Sequence, residues 1–359
     1  MNRWKKSLIV AAVFLGVGII GSIVSGIYMA PRVINEIYRV QREVANADVS
    51  EREVFTTAEE IQSINIESLK EQGFDVEVVP STDGNTTVKV NEYMENNMKV
   101  ESTYNEEKKE LTVVGERSIY NLFEGETLKG LFENGYDAVI STLVEERNDN
   151  SQIIIEVPKA VDINFQAHYY ANLIVNDNAV LKDNLTLNSG NGYVSLPAYN
   201  TLKNITIKTN DYVEMDLREL INAENVNISA RSIQVTSKGF EKEYIEAAKL
   251  PGSVILSGRN IEIKSYMPIG KDVKLDGDYI NYQTNFRDYG MNVNIEGNSQ
   301  NVYFHGEEFE NQYDLSNFRG NYSGYIGRGE NKDFNLKVSR FSNCEFQHVY
   351  PEELEKEVY

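Results

Sequence analysis

Between residues 58 and 349 the apolar side chains recur mostly two apart. In "NITIKTNDYVEMDL", residues 204 to 217, Ile205 and Ile207 are followed by Val213, Met215 and Leu217, with polar or aromatic residues in most of the gaps. A period of two belongs to strands, whose successive side chains point to opposite faces. Short alternations begin at Val161, Leu185, Ile205, Val226, Val254, Val273 and Val293, in steps of 24, 20, 21, 28, 19 and 20 residues. Most have a companion a few residues on: Leu173 with Val175, Val194 with Leu196, Val213 with Met215, Ile233 with Val235, Ile261 with Ile263, and Val302 with Phe304. The longest step contains the polar stretch "KGFEKEYIEAAKLPG", residues 238 to 252, and reads as a rung with an inserted loop.

Two strands per twenty-odd residues predict layers. One such layer cannot bury its apolar face alone, so copies must stack, each strand hydrogen-bonding to those above and below. The pattern therefore predicts an all-β fold, a β-solenoid over residues 58–349, with the named aliphatic residues inward and Thr206, Lys208, Glu214 and Asp216 outward. Turns rich in Asn, Asp and Gly ("NDN", "NSGNG", "DGD") suit its bends. From Ile64 the strands "INIES", "DVEVVP", "TVKVNE", "MKVEST" and "LTVVGE" are less regular, with hairpin-like connections at "STDGNTT" and "YNEEKKE". A β-sandwich gives comparable spacing, and the regular later period favours the solenoid. In one segment, Leu128, Leu131, Phe132, Tyr136, Val139, Ile140, Leu143 and Val144 follow helical spacing. This predicts a helical insertion over about 126–147, read as an end cap in preference to a partner-binding or membrane-lying helix.

Ahead of the strands, residues 7–30 carry no charge. That length spans a hydrocarbon core and exceeds the apolar region of a cleaved signal peptide, so it predicts a transmembrane helix. Arg3, Lys5 and Lys6 place the six-residue tail, 1–6, in the cytoplasm and the bulk outside, although Arg32, Arg39 and Arg42 follow the span. Gly18, Ser22 and Gly26 fall four apart, a candidate helix-dimerisation face for a weak homodimer. Val33, Ile37, Val40 and Val44 suggest a juxtamembrane helical stalk, assigned to 31–57; residues 350–359 form an acidic tail.

Composition adds constraints. The 359 residues carry a formal charge of -20, which repels phosphate backbones and argues against nucleic acid as a partner. The single cysteine, Cys344, allows no internal disulfide, and its alternation with Phe346 makes it a core residue. His168, His305 and His348 lie far apart in sequence with no metal-ligand spacing, and no nucleophile elbow or phosphate loop occurs. No cofactor is expected. Polysaccharide cleavage would need converging carboxylates. Asp276 with Asp278, and Glu307, Glu308 and Glu310, are the nearest clusters, but they read as solvated turn residues without a basic partner. Tyr169, Tyr170, Tyr193 and Tyr212 are candidates for stacking on sugars.

A membrane span followed by "INIES…FDVEVVP", "IIIEVPKAVDINFQ" and repeated "NITIKT"-like rungs resembles the putative-adhesin family of bacterial cell-envelope proteins, whose members include the LiaG-like proteins of Gram-positive bacteria. "GYIGRGENKDFNLKVSRFSNCEF", residues 324 to 346, is similar to that family's closing glycine-rich turn and strand pair. The resemblance implies an extracytoplasmic right-handed β-solenoid and carries over no catalytic residues. The function expected is non-enzymatic: adhesion, or binding of cell-wall or surface glycan or protein, at the cell membrane. Regulation of a membrane stress sensor by contact is the alternative, and a polysaccharide-cleaving β-helix the second.

Overall fold

The structure, a computed structural model, describes residues 51–69, 74–91, 98–117, 152–237, 249–296, 301–305, 318–319, 321–329 and 333–350. The cytoplasmic tail, the span, most of the stalk and the helical insertion expected at 126–147 lie outside them, as does the acidic tail beyond Tyr350. Among the described residues no helix is long and apolar enough to cross a membrane.

In chain order the strands are β1 (Glu51–Thr57), β2 (Ser63–Ser68), β3 (Phe74–Pro80), β4 (Thr86–Asn91), β5 (Met98–Asn105), β6 (Glu110–Arg117), β7 (Ile153–Val157), β8 (Val161–Ala167) and β9 (Ala171–Val175). They continue as β10 (Leu181–Asn188), β11 (Val194–Ser195), β12 (Asn204–Lys208), β13 (Tyr212–Asp216), β14 (Asn225–Ser229), β15 (Ser232–Thr236), β16 (Ser253–Lys264) and β17 (Asp272–Thr284). The last are β18 (Met291–Glu296), β19 (Asn301–His305), β20 (Phe318–Arg319), β21 (Tyr322–Ile326), β22 (Asn335–Ser339) and β23 (Asn343–His348). The described chain is nearly all β.

Alternation sets which side chains go in. Parallel, in-register pairing of β8, β10, β12, β14, β16 and β17 aligns Ile163, Leu185, Ile205, Val226, Val254 and Val273 in one buried column. Phe165, Leu187, Ile207, Ile228, Leu256 and Leu275 form a second beside it. A second stack, β13, β15 and the far halves of β16 and β17, aligns Val213, Ile233, Ile261 and Ile280. Each of these side chains contributes roughly 1.5–3 kcal/mol by leaving water. Lys208 and Glu214 are exposed as expected, while Thr206 and Asp216 are half-buried. Asn side chains join neighbouring rungs outside the first stack: Asn204 Nδ2 donates to Asn184 Oδ1 at 2.8 Å and Asn225 Nδ2 to Asn204 Oδ1 at 2.8 Å.

Because β16 and β17 run through both stacks, the ladder of pairings closes on itself. That ring comes from strands turning a corner at Gly258 and Gly277. It is not the tilted, staggered closure of a barrel. A Cβ on Gly258 would lie 2.4 Å from the Ala230 carbonyl oxygen of the preceding rung, so this corner requires glycine.

Four sequence expectations need correction. Residues 51–57 are strand β1, not stalk helix; β1 pairs antiparallel with β4, with a register shift between Glu53 and Phe55. The "STDGNTT" connection is not a hairpin, because β7 lies between β3 and β4; "YNEEKKE" does join an antiparallel pair, β5 and β6. Leu217 does not extend the β13 alternation but starts a helical turn, α1 (Leu217–Leu220), capped by Asp216. Rungs also depart from sequence order at both ends. The rung β2/β3 sits between β6/β7 and β8/β9. The rung β22/β23 sits between β17 and β18/β19, so "NLKVSRFSNCEF" is an interior layer and not the closing one.

Candidate ligand-binding faces

Three surface regions carry chemistry. The first is at the turn from β8 to β9. Asp75 of β3 pairs with Asn172 of β9, whose side chain is buried, and the Tyr193 backbone amide donates to Asn172 Oδ1 at 3.0 Å. Asn172 Nδ2 donates to the Tyr170 hydroxyl. One amide thus fixes residues from two rungs. Burial, then the nearby Asp75 carboxylate, pushes the Tyr170 phenol up to about 12 and raises that of Tyr193. Both hydroxyls therefore stay protonated at neutral pH. Their rings remain partly in water, 39% exposed for Tyr170 and 47% for Tyr193, and Tyr169 on the same turn is 59% exposed. Gly192, at φ 132°, lets the next rung pass close, since a Cβ there would meet the Ala171 carbonyl oxygen.

The structure brings Tyr170 and Tyr193 together through Asn172, while Tyr169 only precedes Tyr170 on the same turn. Tyr212 is held separately: its hydroxyl donates to Gln234 and lies 3.3 Å from Glu214 Oε2, and no strand pairing joins β13 to β11 among the described residues. Asp75 and Asn172 went unnoticed in the sequence because each occupies an ordinary outward strand position. Only rung stacking makes them neighbours.

The second region is a cleft of about 490 Å³ on the outer face of β16, β17, β22, β18 and β21. Its amides form a relay, Asn292 Nδ2 to Asn335 Oδ1 at 3.1 Å and Asn335 Nδ2 to Asp272 Oδ1 at 2.8 Å. Lys337 Nζ meets Glu296 Oε1 at 2.8 Å and holds that carboxyl below its ordinary range.

The third is a cleft of about 590 Å³ at the corner between the stacks, lined by Ser229, Ser257, Asp276, Asp278 and three arginines, Arg231, Arg259 and Arg340, among others. Asp276 was expected to lack a basic partner. Instead Arg340 grips it with two nitrogens, Nε to Oδ1 at 2.5 Å and Nη2 to Oδ2. Arg259 Nε lies 3.9 Å from Asp278 Oδ2. The correction follows from the misplaced rung: β22 lies directly beside β17, bringing Arg340 within reach.

Other candidates fall away from these faces. Cys344 is buried, and burial pushes its thiol up. His348 is buried and its Nδ1 accepts from the Phe286 amide at 3.1 Å. His305, the last residue of β19, is exposed 3.8 Å from Glu345, and His168 is exposed in the β8–β9 turn. Among the described residues no three His, Cys, Asp or Glu side chains group as metal ligands. Gly18, Ser22, Gly26, Glu307, Glu308 and Glu310 lie outside the described residues.

No family model and no curated protein matches the chain. Among solved structures it is similar to a putative adhesin from Parabacteroides merdae, 12% identical with a TM-score of 0.33, over 85% of this chain and 98% of that one. A putative adhesin from Bacteroides fragilis is 10% identical with a TM-score of 0.29, over 85% and 98%. A putative cell adhesion protein from Clostridium sporogenes is 9% identical with a TM-score of 0.21, over 84% and 99%. TM-scores this low leave the function to be argued from the residues of the chain itself.

Proposed function

We propose that the chain is a non-enzymatic envelope protein, anchored by residues 7–30, whose stacked rungs form an extracytoplasmic β-solenoid that binds glycan. The observation that carries this reading is the tyrosine corner. Two partly exposed phenols, a buried amide and a carboxylate meet across three consecutive rungs, giving apolar faces for sugar rings beside hydrogen-bonding groups for their hydroxyls. Rungs held rigidly by backbone pairing keep such a site pre-organised. A chito-oligosaccharide, the neutral N-acetylhexosamine repeat of cell walls, is the probe. Isothermal titration is expected to show binding that Tyr193→Ala and Tyr170→Ala each weaken roughly fivefold, the equivalent of about 1 kcal/mol per stacked ring. Unchanged binding by both variants, with melting also unchanged, removes the tyrosine corner as the site.

A further inference from the structure

We propose that the corner cleft is a second site, taking a single carboxylate-bearing sugar, of the uronate type, within an otherwise neutral glycan; this rests on the glycan-binding reading above. The charged residues of the cleft come from four successive rungs. Arg231 follows β14, Arg259 lies in β16, Asp276 and Asp278 lie in β17, and Arg340 follows β22. In a chain of charge -20, three guanidiniums gathered on neighbouring layers form a local exception. Elsewhere on the described surface, Lys109, Lys203 and Lys337 meet a carboxylate at 2.5, 2.7 and 2.8 Å, while Lys182 lies 3.9 Å from Asp162. In the corner the matching is incomplete. Arg259 is loosely held at 3.9 Å, and Arg231 makes no side-chain hydrogen bond or ion pair with any described residue.

The residues around Arg231 suit an anionic ligand bearing hydroxyls. Ala230, Gly258 and Gly277 leave the floor with nothing larger than a methyl group, while Asn210, Ser229 and Ser257 supply neutral donors and acceptors. Asp276 engages two of the Arg340 nitrogens and so fixes the plane of that guanidinium, acting as a positioning residue. A guanidinium fork matches the planar carboxylate in geometry and charge. A long polyanion would be repelled by the surface as a whole, whereas one carboxylate on a neutral chain adds little repulsion.

The test titrates the full chain, in detergent, with glucuronosyl-xylotriose, a neutral oligosaccharide bearing one uronate, with its methyl ester, and with inorganic phosphate. The acid form is expected to bind, with at least about tenfold loss on methyl esterification and again in the Arg231→Ala/Arg259→Ala double variant, a change of about 1.4 kcal/mol. Arg231→Lys, which keeps the charge but not the fork, is expected to recover only part of the loss, and Tyr193→Ala to leave glucuronosyl-xylotriose binding unchanged. The proposal is overturned if the ester binds as tightly as the acid, if the acid does not bind, or if inorganic phosphate binds more tightly than glucuronosyl-xylotriose. Chito-oligosaccharide binding that persists while the acid fails removes the corner site alone. Loss of the tyrosine site with acid binding intact removes that site alone.

Discussion

The middle of the molecule and its two ends solve the same stacking problem differently. From β8 to β17 each new rung lies on the one before it, and sequence order is spatial order. At the ends the chain places its first and last parallel rungs one layer in. The outermost rung at each end is then covered by antiparallel strands, β4 and β5 at one end and β20 and β21 at the other. The two ends are related by reversing the chain direction. A terminal rung of a simple stack would have one open edge, with unpaired amides that fray or recruit other strands. Here the terminal segments are each held on two sides, so an end that is last in sequence is not last to be protected.

The largest effect should come from removing β22 and β23. In a chain ending at Gly329, Asn292–Glu296 and Asn301–His305 would lose their parallel neighbours, and their amides are expected to exchange with deuterium far faster by mass spectrometry. Retained protection in those strands would restore sequence order at this end. A single substitution asks the same question more gently. Phe346 is fully buried and stacks on Phe304 at 5.1 Å, with Tyr282 on its other side at 6.3 Å. Phe346→Ala is expected to cost about 3–5 kcal/mol, as for a central core residue. A urea-unfolding loss below about 1 kcal/mol would mean that this rung is a frayed edge.

The alternation of Ile205, Ile207, Val213 and Met215 was legible because burial on one face of a strand imposes a period of two whatever lies above or below. Rung order was not legible for the same reason: Val273, Val293 and Leu336 fill equivalent places in one column, and nothing in their alternation says which two are adjacent. The Asp276–Arg340 grip, between residues 64 apart, depends on that order and so was hidden with it. Strand β1 was read as stalk because its register shift puts Val54 and Phe55 side by side and breaks the alternation. Of the four tyrosines, Tyr170 and Tyr193 are joined through Asn172 by successive rungs, while their Asp75 partner required the displaced rung β2/β3.

A smaller effect should separate the middle by pH. Glu219 closes the capping box of α1 within the sequential region, its Oε2 accepting from the Asp216 amide at 2.9 Å. Burial raises its carboxyl from 4.5 to about 7 despite the backbone bonds. The folded state therefore keeps a proton that the unfolded state gives up, so stability falls as pH rises from 4.5 to 7 and the penalty is complete above that. The loss should not exceed about 3 kcal/mol. Glu219→Gln retains a capping side chain and should flatten the difference between urea midpoints at pH 5 and pH 8. An unchanged slope in that variant would assign the pH dependence to other groups.

The smallest effect tests whether a displaced rung is knit as tightly as a sequential one. Asn204 bridges neighbours 20 and 21 residues away in the middle, accepting from Asn225 and donating to Asn184. Asn335 makes the same bridge at the end, donating to Asp272 63 residues away and accepting from Asn292 43 residues away. Both ladders are solvent-exposed, so each substitution to Ala should cost only about 0.5–1.5 kcal/mol. If pairing geometry sets the strength of a rung, Asn204→Ala and Asn335→Ala will shift the urea midpoint equally. If loop closure does, Asn335→Ala will cost less, because a contact that closes a longer loop has more ordering entropy to offset and contributes less net stability. Equal shifts would make the inserted rung a full layer of the stack.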